Sequence, residues 1–143
     1  MISLATALKL KEIGLVWKPT LHDFFAIPDV GLDDRIFVLS DMTVGVEVLH
    51  GFPAITFNGA VEWSLDFVYQ YDVVWIPKEE QLRQLVYQQL ALVGKPIFQL
   101  AYTGKAYTCT IQHQGRPQMF AAKSGDESYA RALLHLLGAP AAD

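Results

Sequence analysis

The sequence predicts an α+β protein with a mainly antiparallel sheet and helices packed on one face. The predicted elements run in the order helix, strand pair, mixed insert, helix, three-stranded meander and helix. Meanders and hairpins pair their strands antiparallel, and helices separated from such strands collect on one side of the sheet. The chain has 143 residues, a length typical of one domain. We therefore expect a single compact domain over residues 1–138 and a frayed tail at 139–143.

The first elements are predicted by a helix cap and by two apolar runs. Ser3 can cap a helix over residues 3–13, and Gly14 can end it in a left-handed conformation. The apolar runs at 23–27 and 35–39 predict two strands, because a loop rich in Asp and Gly separates them.

The insert that follows is more ambiguous. Residues 42–50 predict a short helix because Gly51 and Pro53 suit a helix end, although three valines weaken it. Residues 54–57 predict a strand, and residues 60–69 predict a second short helix from apolar residues at helical spacing.

The second half of the chain has stronger patterns. A strand is predicted at 73–76, and an amphipathic helix at 78–93 has one apolar stripe and one polar face. Ser124 begins a capping-box pattern that predicts the last helix, which Gly138 ends. Between these helices, turn residues separate the three strands of the meander, at 97–102, 106–112 and 118–122. The middle strand alternates, with Tyr107, Cys109 and Ile111 on one face, so we expect Cys109 to be a packed strand cysteine.

Charge and cysteine content exclude several classes of protein. The net charge is −4 and the eleven cations are scattered, so the sequence predicts neither a nucleic-acid partner nor an anionic membrane surface. No apolar run is long enough to span a bilayer, and the first fifteen residues lack the basic start of a signal peptide. Since Cys109 is the single cysteine, we expect a cytoplasmic protein.

Five aspartates lie between residues 22 and 42, and we expect them to form turns and solvated strand ends. They have no calcium-loop spacing, and Asp is a common turn residue. The alternative is a metal site formed by Asp33, Asp34 and Asp41. We expect no bound metal. The five aspartates are Asp23, Asp29, Asp33, Asp34 and Asp41.

The other candidate motifs do not assemble into a catalytic site. Cys109 and His113 stand four residues apart on one predicted strand, about 13 Å at ~3.3 Å per residue, which is beyond hydrogen-bond reach. The sequence TGKA at 103–106 lacks the first glycine and the Ser or Thr of a phosphate loop, and no GxSxG motif occurs. The four histidines show no metal-ligand spacing, so we expect them at the surface or at its rim. We expect no cofactor and, on balance, no catalysis.

A small-molecule-binding protein or a minor enzyme is the main alternative to a non-catalytic interaction module. Trp63 stands beside Glu62 and could line a groove rather than the core. The candidate ligand-binding residues are therefore Asp41, Glu62, Trp63 and His22, with a pocket between the sheet and the insert at 42–72.

Three segments and the C-terminal helix carry a resemblance that runs over nearly the whole chain. The segments are DFFAIPDVGLDDRIFVLSDM, ITFNGAVEWSLDFV and VVWIPKEEQLRQL, and the helix contributes SYARALLHLLG. They resemble a family of small uncharacterised bacterial proteins, some of which are described as pilus assembly proteins of the CpaE type. CpaE proteins resemble longer receiver-plus-ATPase chains with a phosphate loop. The second half, from its proline-led helix to the capped last helix, also resembles small phage proteins of unknown role. The resemblance implies no catalytic residue.

The function we expect is that of a non-catalytic interaction or regulatory module with a protein partner, acting as a homodimer. Few charges, abundant aromatic residues and the lack of an assembled catalytic motif favour it. Exposed sheet edges are the expected association surface. A DNA-mimic protein is a third class, and it requires a clustered acidic face.

Overall fold

The chain contains three α-helices and nine strands in the parts described by the computed structural model, which are residues 1–28, 35–40, 44–57 and 67–138. A 3₁₀ turn spans Gln70–Asp72. In chain order the elements are α1 (Leu4–Glu12), β1 (Phe24–Ala26), β2 (Phe37–Val38), β3 (Val44–Leu49), β4 (Phe52–Phe57), β5 (Phe67–Tyr69), β6 (Val74–Ile76), α2 (Glu79–Ala91), β7 (Phe98–Tyr102), β8 (Tyr107–His113), β9 (Arg116–Ala122) and α3 (Gly125–Leu136).

The strands form three antiparallel sheets, which confirms the α+β class. Contacts group the chain into two compact units, one of Met1–Leu15 with Pro77–Asp143 and one of Val16–Ile76. The single domain over residues 1–138 stays a prediction, and the tail at 139–143 lies outside the described residues.

The first unit contains the meander and all three helices. Its sheet has the order β7-β8-β9, and α3 packs on β8 and β9 while α1 and α2 pack on α3. The alternation predicted for β8 is confirmed, because Cys109 and Ile111 are buried while Gln112 is exposed. Gln114 and Gly115 join β8 to β9 with φ angles of 54° and 77°. Two successive residues with positive φ are typical of a type I′ hairpin turn.

The helix caps of the first unit agree with the sequence. Ser3 Oγ accepts a hydrogen bond from the Thr6 backbone N–H at 3.1 Å, and Gly14 has a φ of 101°. Ser124 Oγ caps α3 by accepting from the Glu127 N–H at 3.4 Å. The Glu127 carboxylate accepts from the Ser3 N–H at 2.6 Å and from Thr6 Oγ1 at 2.9 Å, so it connects the starts of α3 and α1.

The second unit contains two small sheets, of order β2-β1-β6 and β3-β4-β5. Its core begins with an aromatic row, because the Phe25 ring lies 5.5 Å from both the Trp17 and the Phe37 ring centroids. Residues of both sheets complete this cluster, and its buried members are Trp17, Phe25, Ile27, Phe37, Leu39, Ile55, Val68 and Val73.

One helix prediction in the insert is wrong, and the last three residues of a second do not form the helix predicted for them. Residues 44–49 form β3 rather than part of a helix over 42–50, and residues 67–69 form β5 rather than the end of a helix over 60–69. Residues 42–43 and 60–66 lie outside the described residues. In β3, valine at every second position fits a strand, because β-branched side chains pack well on a pleated sheet.

Candidate interaction surface

The β3–β4 hairpin is closed by a turn of two residues, His50 and Gly51. Their φ angles are 53° and 85°, which is again the type I′ pattern that fits the twist of two antiparallel strands. The register pairs Leu49 with Phe52 next to the turn. Gly51, which suggests a helix end in the sequence, therefore lies in a hairpin turn, and Pro53 lies in β4.

Strand β3 lies at an edge of its sheet. It pairs with β4 and, among the described residues, with no other strand. The side chains of Val46 and Val48 are 42% and 72% exposed. Their register partners on β4 are Ile55, which is fully buried, and Pro53. Because partners across an antiparallel pair point to the same face, the two valines continue the apolar side of this sheet into solvent.

An exposed cluster of aromatic rings lies at the end of the same sheet. The rings of Tyr69 and Tyr71 stack with their centroids 5.2 Å apart, and the Phe52 ring meets both edge-on at 6.0 Å and 6.1 Å. Phe52 and Tyr71 are each more than half exposed. An aromatic side chain can bury ~150–250 Å², so these two offer on the order of 200 Å² of uncovered surface.

The Tyr71 phenol stays uncharged at neutral pH. The pKa of the Tyr71 phenol is raised above its usual value by desolvation, by the Asp72 carboxylate and by the neighbouring Tyr69. The phenolate is therefore further disfavoured, and the ring remains a neutral contact group with a hydroxyl at its end.

Of the four predicted ligand-binding residues, the structure describes only His22. His22 is exposed and has a φ of 73°. Its backbone N–H donates a hydrogen bond to the Leu39 carbonyl at 2.8 Å. Asp41, Glu62 and Trp63 lie outside the described residues. The alternative metal ligands Asp33, Asp34 and Asp41 also lie outside them, as does Asp29.

Asp23 corrects the expectation of a solvated strand end. Its side chain is buried, and its Oδ2 accepts hydrogen bonds from Trp17 Nε1 at 2.9 Å and from the Thr20 N–H at 3.0 Å. A buried carboxylate needs such donors because its charge has left water. Gln70 Nε2 donates to the Trp17 carbonyl at 2.7 Å, which further fixes the tryptophan. The carboxylate therefore holds the entry to β1 in place.

The histidines lie at the surface or at its rim, as the sequence predicts. His22, His50 and His135 are exposed, while His113 is half-buried with its ring 5.8 Å from that of His135. No group of three or more potential metal ligands occurs in the part of the chain that the structure describes.

Cys109 is a buried residue of β8, which fits the packed strand cysteine that the sequence predicts. Burial raises the pKa of its thiol from an ordinary value of 9.0 to about 11. The thiolate, which is the nucleophilic form, is therefore scarce at neutral pH.

Comparisons with protein-family models, with curated proteins and with solved structures find no match for this chain. None of the helices in the described ranges is both long and apolar enough to cross a membrane.

Proposed function

We propose that the protein is a non-catalytic interaction module that associates with a second copy of itself through the outer edge of β3. One observation carries this proposal: Val46 and Val48 are exposed on a six-residue edge strand that contains neither Lys nor Pro. Edge strands are usually protected from pairing by such residues, by bulges or by short length. An edge of this length, with two exposed valines and Glu47 as its one charged residue, is therefore a site where another strand can pair.

The free-energy terms for association are of similar size. The exposed parts of Val46 and Val48 together amount to about one full valine side chain per copy, so their burial supplies ~3–6 kcal/mol per dimer. Each hydrogen bond between the edges adds ~0.5–1.5 kcal/mol net. Association costs ~4–15 kcal/mol in translational, rotational and side-chain freedom. Because the gain and the cost overlap, the dimer content should respond to concentration.

The test is the mass in solution as a function of concentration, measured by sedimentation equilibrium from about 10 µM to about 1 mM. The mass should rise above the monomer value of 16.0 kDa. Val48→Lys should lower the dimer content at least tenfold, because it places a charge at the edge. Val16→Lys is the matched control, since Val16 is 71% exposed but lies outside β3.

A strict monomer at every concentration would contradict the proposal. Equal losses of dimer in the two lysine variants would also contradict it, because the effect would then follow from added charge rather than from the edge.

The second candidate is a small-molecule-binding protein with its pocket between the sheet and the insert at 42–72. One described feature favours it: Trp75 Nε1 is buried and has no hydrogen-bond partner within the described ranges. A buried donor of this kind is rare, and a ligand carbonyl or a water molecule would satisfy it. A ligand found by thermal-shift screening should lose its effect in Trp75→Phe and keep it in the exposed control Tyr87→Phe.

A cytoplasmic location and a relationship to small bacterial or phage proteins belong to the same proposal. The single cysteine and the segments quoted above support them. Identification of the neighbouring genes tests the relationship to bacterial or phage proteins. Identification of the proteins recovered with the tagged full chain tests the cytoplasmic location.

A further inference from the structure

We infer that two copies of β3 pair antiparallel about a two-fold axis beside Val46. This inference rests on the proposed self-association and specifies its register. The turn at His50 and Gly51 determines which backbone groups of β3 face outward. In a two-residue hairpin, the pair that flanks the turn exchanges hydrogen bonds, and exchanging and non-exchanging pairs then alternate along the strands.

The alternation divides the residues of β3 into two sets. Leu49, Glu47 and Gly45 stand in pairs that exchange hydrogen bonds with β4. The backbone N–H and C=O groups of the other set therefore point away from β4, and this set is Val44, Val46 and Val48. Pro53 fits the assignment, since it has no N–H and stands opposite Val48, in a pair that exchanges no bond.

The outward set is complementary to itself. If Val46 stands opposite Val46 of the second copy, Val44 of each copy stands opposite Val48 of the other. Every outward N–H and C=O of the three valines then has a partner, which gives about six hydrogen bonds between the copies. Such a contact is isologous, as two-fold symmetry requires.

Charge selects this register over its neighbour. A register centred on Glu47 places two glutamates directly opposite each other, and like charges in that position are unfavourable. The register centred on Val46 places Glu47 opposite Gly45 of the second copy. The two glutamates are then not directly opposed.

A cysteine cross-link tests the register. In the proposed pairing, the two Val46 Cα atoms lie ~5.5 Å apart, which suits a disulfide. The two Val48 Cα atoms are offset by four residues, about 13 Å, which is too far. In a glutathione redox buffer, Val46→Cys should therefore form at least tenfold more cross-linked dimer than Val48→Cys. The amount of dimer is measured on a non-reducing gel. The native Cys109 is buried and leaves the background low.

Hydrogen exchange of the unmodified chain provides the second measurement. It needs no substitution, so it cannot fail because a variant does not fold. Raising the concentration should protect the Val46 and Val48 amides, while the Leu49 amide, already bonded to β4, should not change.

The two proposals fail in different ways. A dimer can be detected by its mass while the chain shows neither Val46→Cys cross-linking nor concentration-dependent protection of the Val46 amide. That result overturns the register and keeps the self-association. Stronger cross-linking through Val48→Cys also overturns the register. A monomer at every concentration overturns both.

Discussion

Replacement of Asp23 by alanine should strongly destabilise the second unit. One carboxylate oxygen accepts from both Trp17 Nε1 and the Thr20 N–H, at 2.9 Å and 3.0 Å. Hydrogen bonds to a charged acceptor contribute ~1.5–3 kcal/mol each, so Asp23→Ala should lower the free energy of unfolding by ~3–6 kcal/mol. The Trp17 indole N–H would also lose the Asp23 carboxylate as its acceptor while Trp17 is only 7% exposed.

Asparagine separates the loss of the charge from the loss of the acceptor. Because one oxygen serves both donors, the amide oxygen of Asp23→Asn can accept both hydrogen bonds without the charge. We expect a loss of ~1–3 kcal/mol. Asp72 is the matched control, since it is an exposed aspartate of the same unit, and Asp72→Ala should change the free energy by less than ~0.5 kcal/mol.

The assay is urea denaturation followed by circular dichroism. With a slope of ~1–3 kcal/mol per molar urea, the midpoint for Asp23→Ala should fall by at least about 1 M. Combining it with Trp17→Phe completes a double-mutant cycle, in which the indole bond should appear as a coupling of ~1–3 kcal/mol. A loss no larger than that of Asp72→Ala, or a coupling near zero, would refute the reasoning.

Two further predictions concern the first unit. The folded pKa of Cys109 is raised from 9.0 to about 11, so its stabilising contribution is complete below pH 9 and is lost as the pH rises towards 11. The difference in unfolding free energy between the wild type and Cys109→Ala should therefore shrink by ~1.4 kcal/mol between pH 7 and pH 10, and a constant difference in denaturant titrations would contradict this. Glu127→Gln weakens two hydrogen bonds to the first turn of α1 and should cost ~1–2 kcal/mol in thermal denaturation. The exposed Glu80→Gln is its control, and equal losses would argue against the contact.

The meander and the last two helices could be predicted because several local signals agree there. The stripe of α2, the alternation of β8 and the Ser124 cap each predict the element that the structure contains. Turn residues separate these elements, so no pattern had to compete with its neighbour.

The insert was mispredicted because its signals conflict. Gly51 can end a helix or occupy a type I′ turn, since both need a positive φ, and local sequence alone does not distinguish them. Three valines at every second position favour the strand, and pairing with β4 decides in its favour. Tertiary pairing thus overrides the helix-end signal.

The burial of Asp23 could not be predicted from composition either. Aspartate before a strand is usually solvated, and only the fold brings the Trp17 indole, six residues earlier, onto its carboxylate. The spacing of a donor-bearing tryptophan and an aspartate around a short proline-containing loop was the only signal available in the sequence.

The edge strands of the three sheets differ in how they are protected. Strands β2, β5 and β6 have three residues or fewer, which leaves little edge to pair. Strand β9 carries Pro117, and Lys95 and Pro96 precede β7. Strand β3 has six residues and a 72% exposed Val48, and its one charged residue is Glu47. Among the described edge strands it is the longest that contains neither Lys nor Pro, and β7, with five residues, comes next. Since long apolar edges are rarely left uncovered in monomeric proteins, we expect a partner strand at β3 before any other edge.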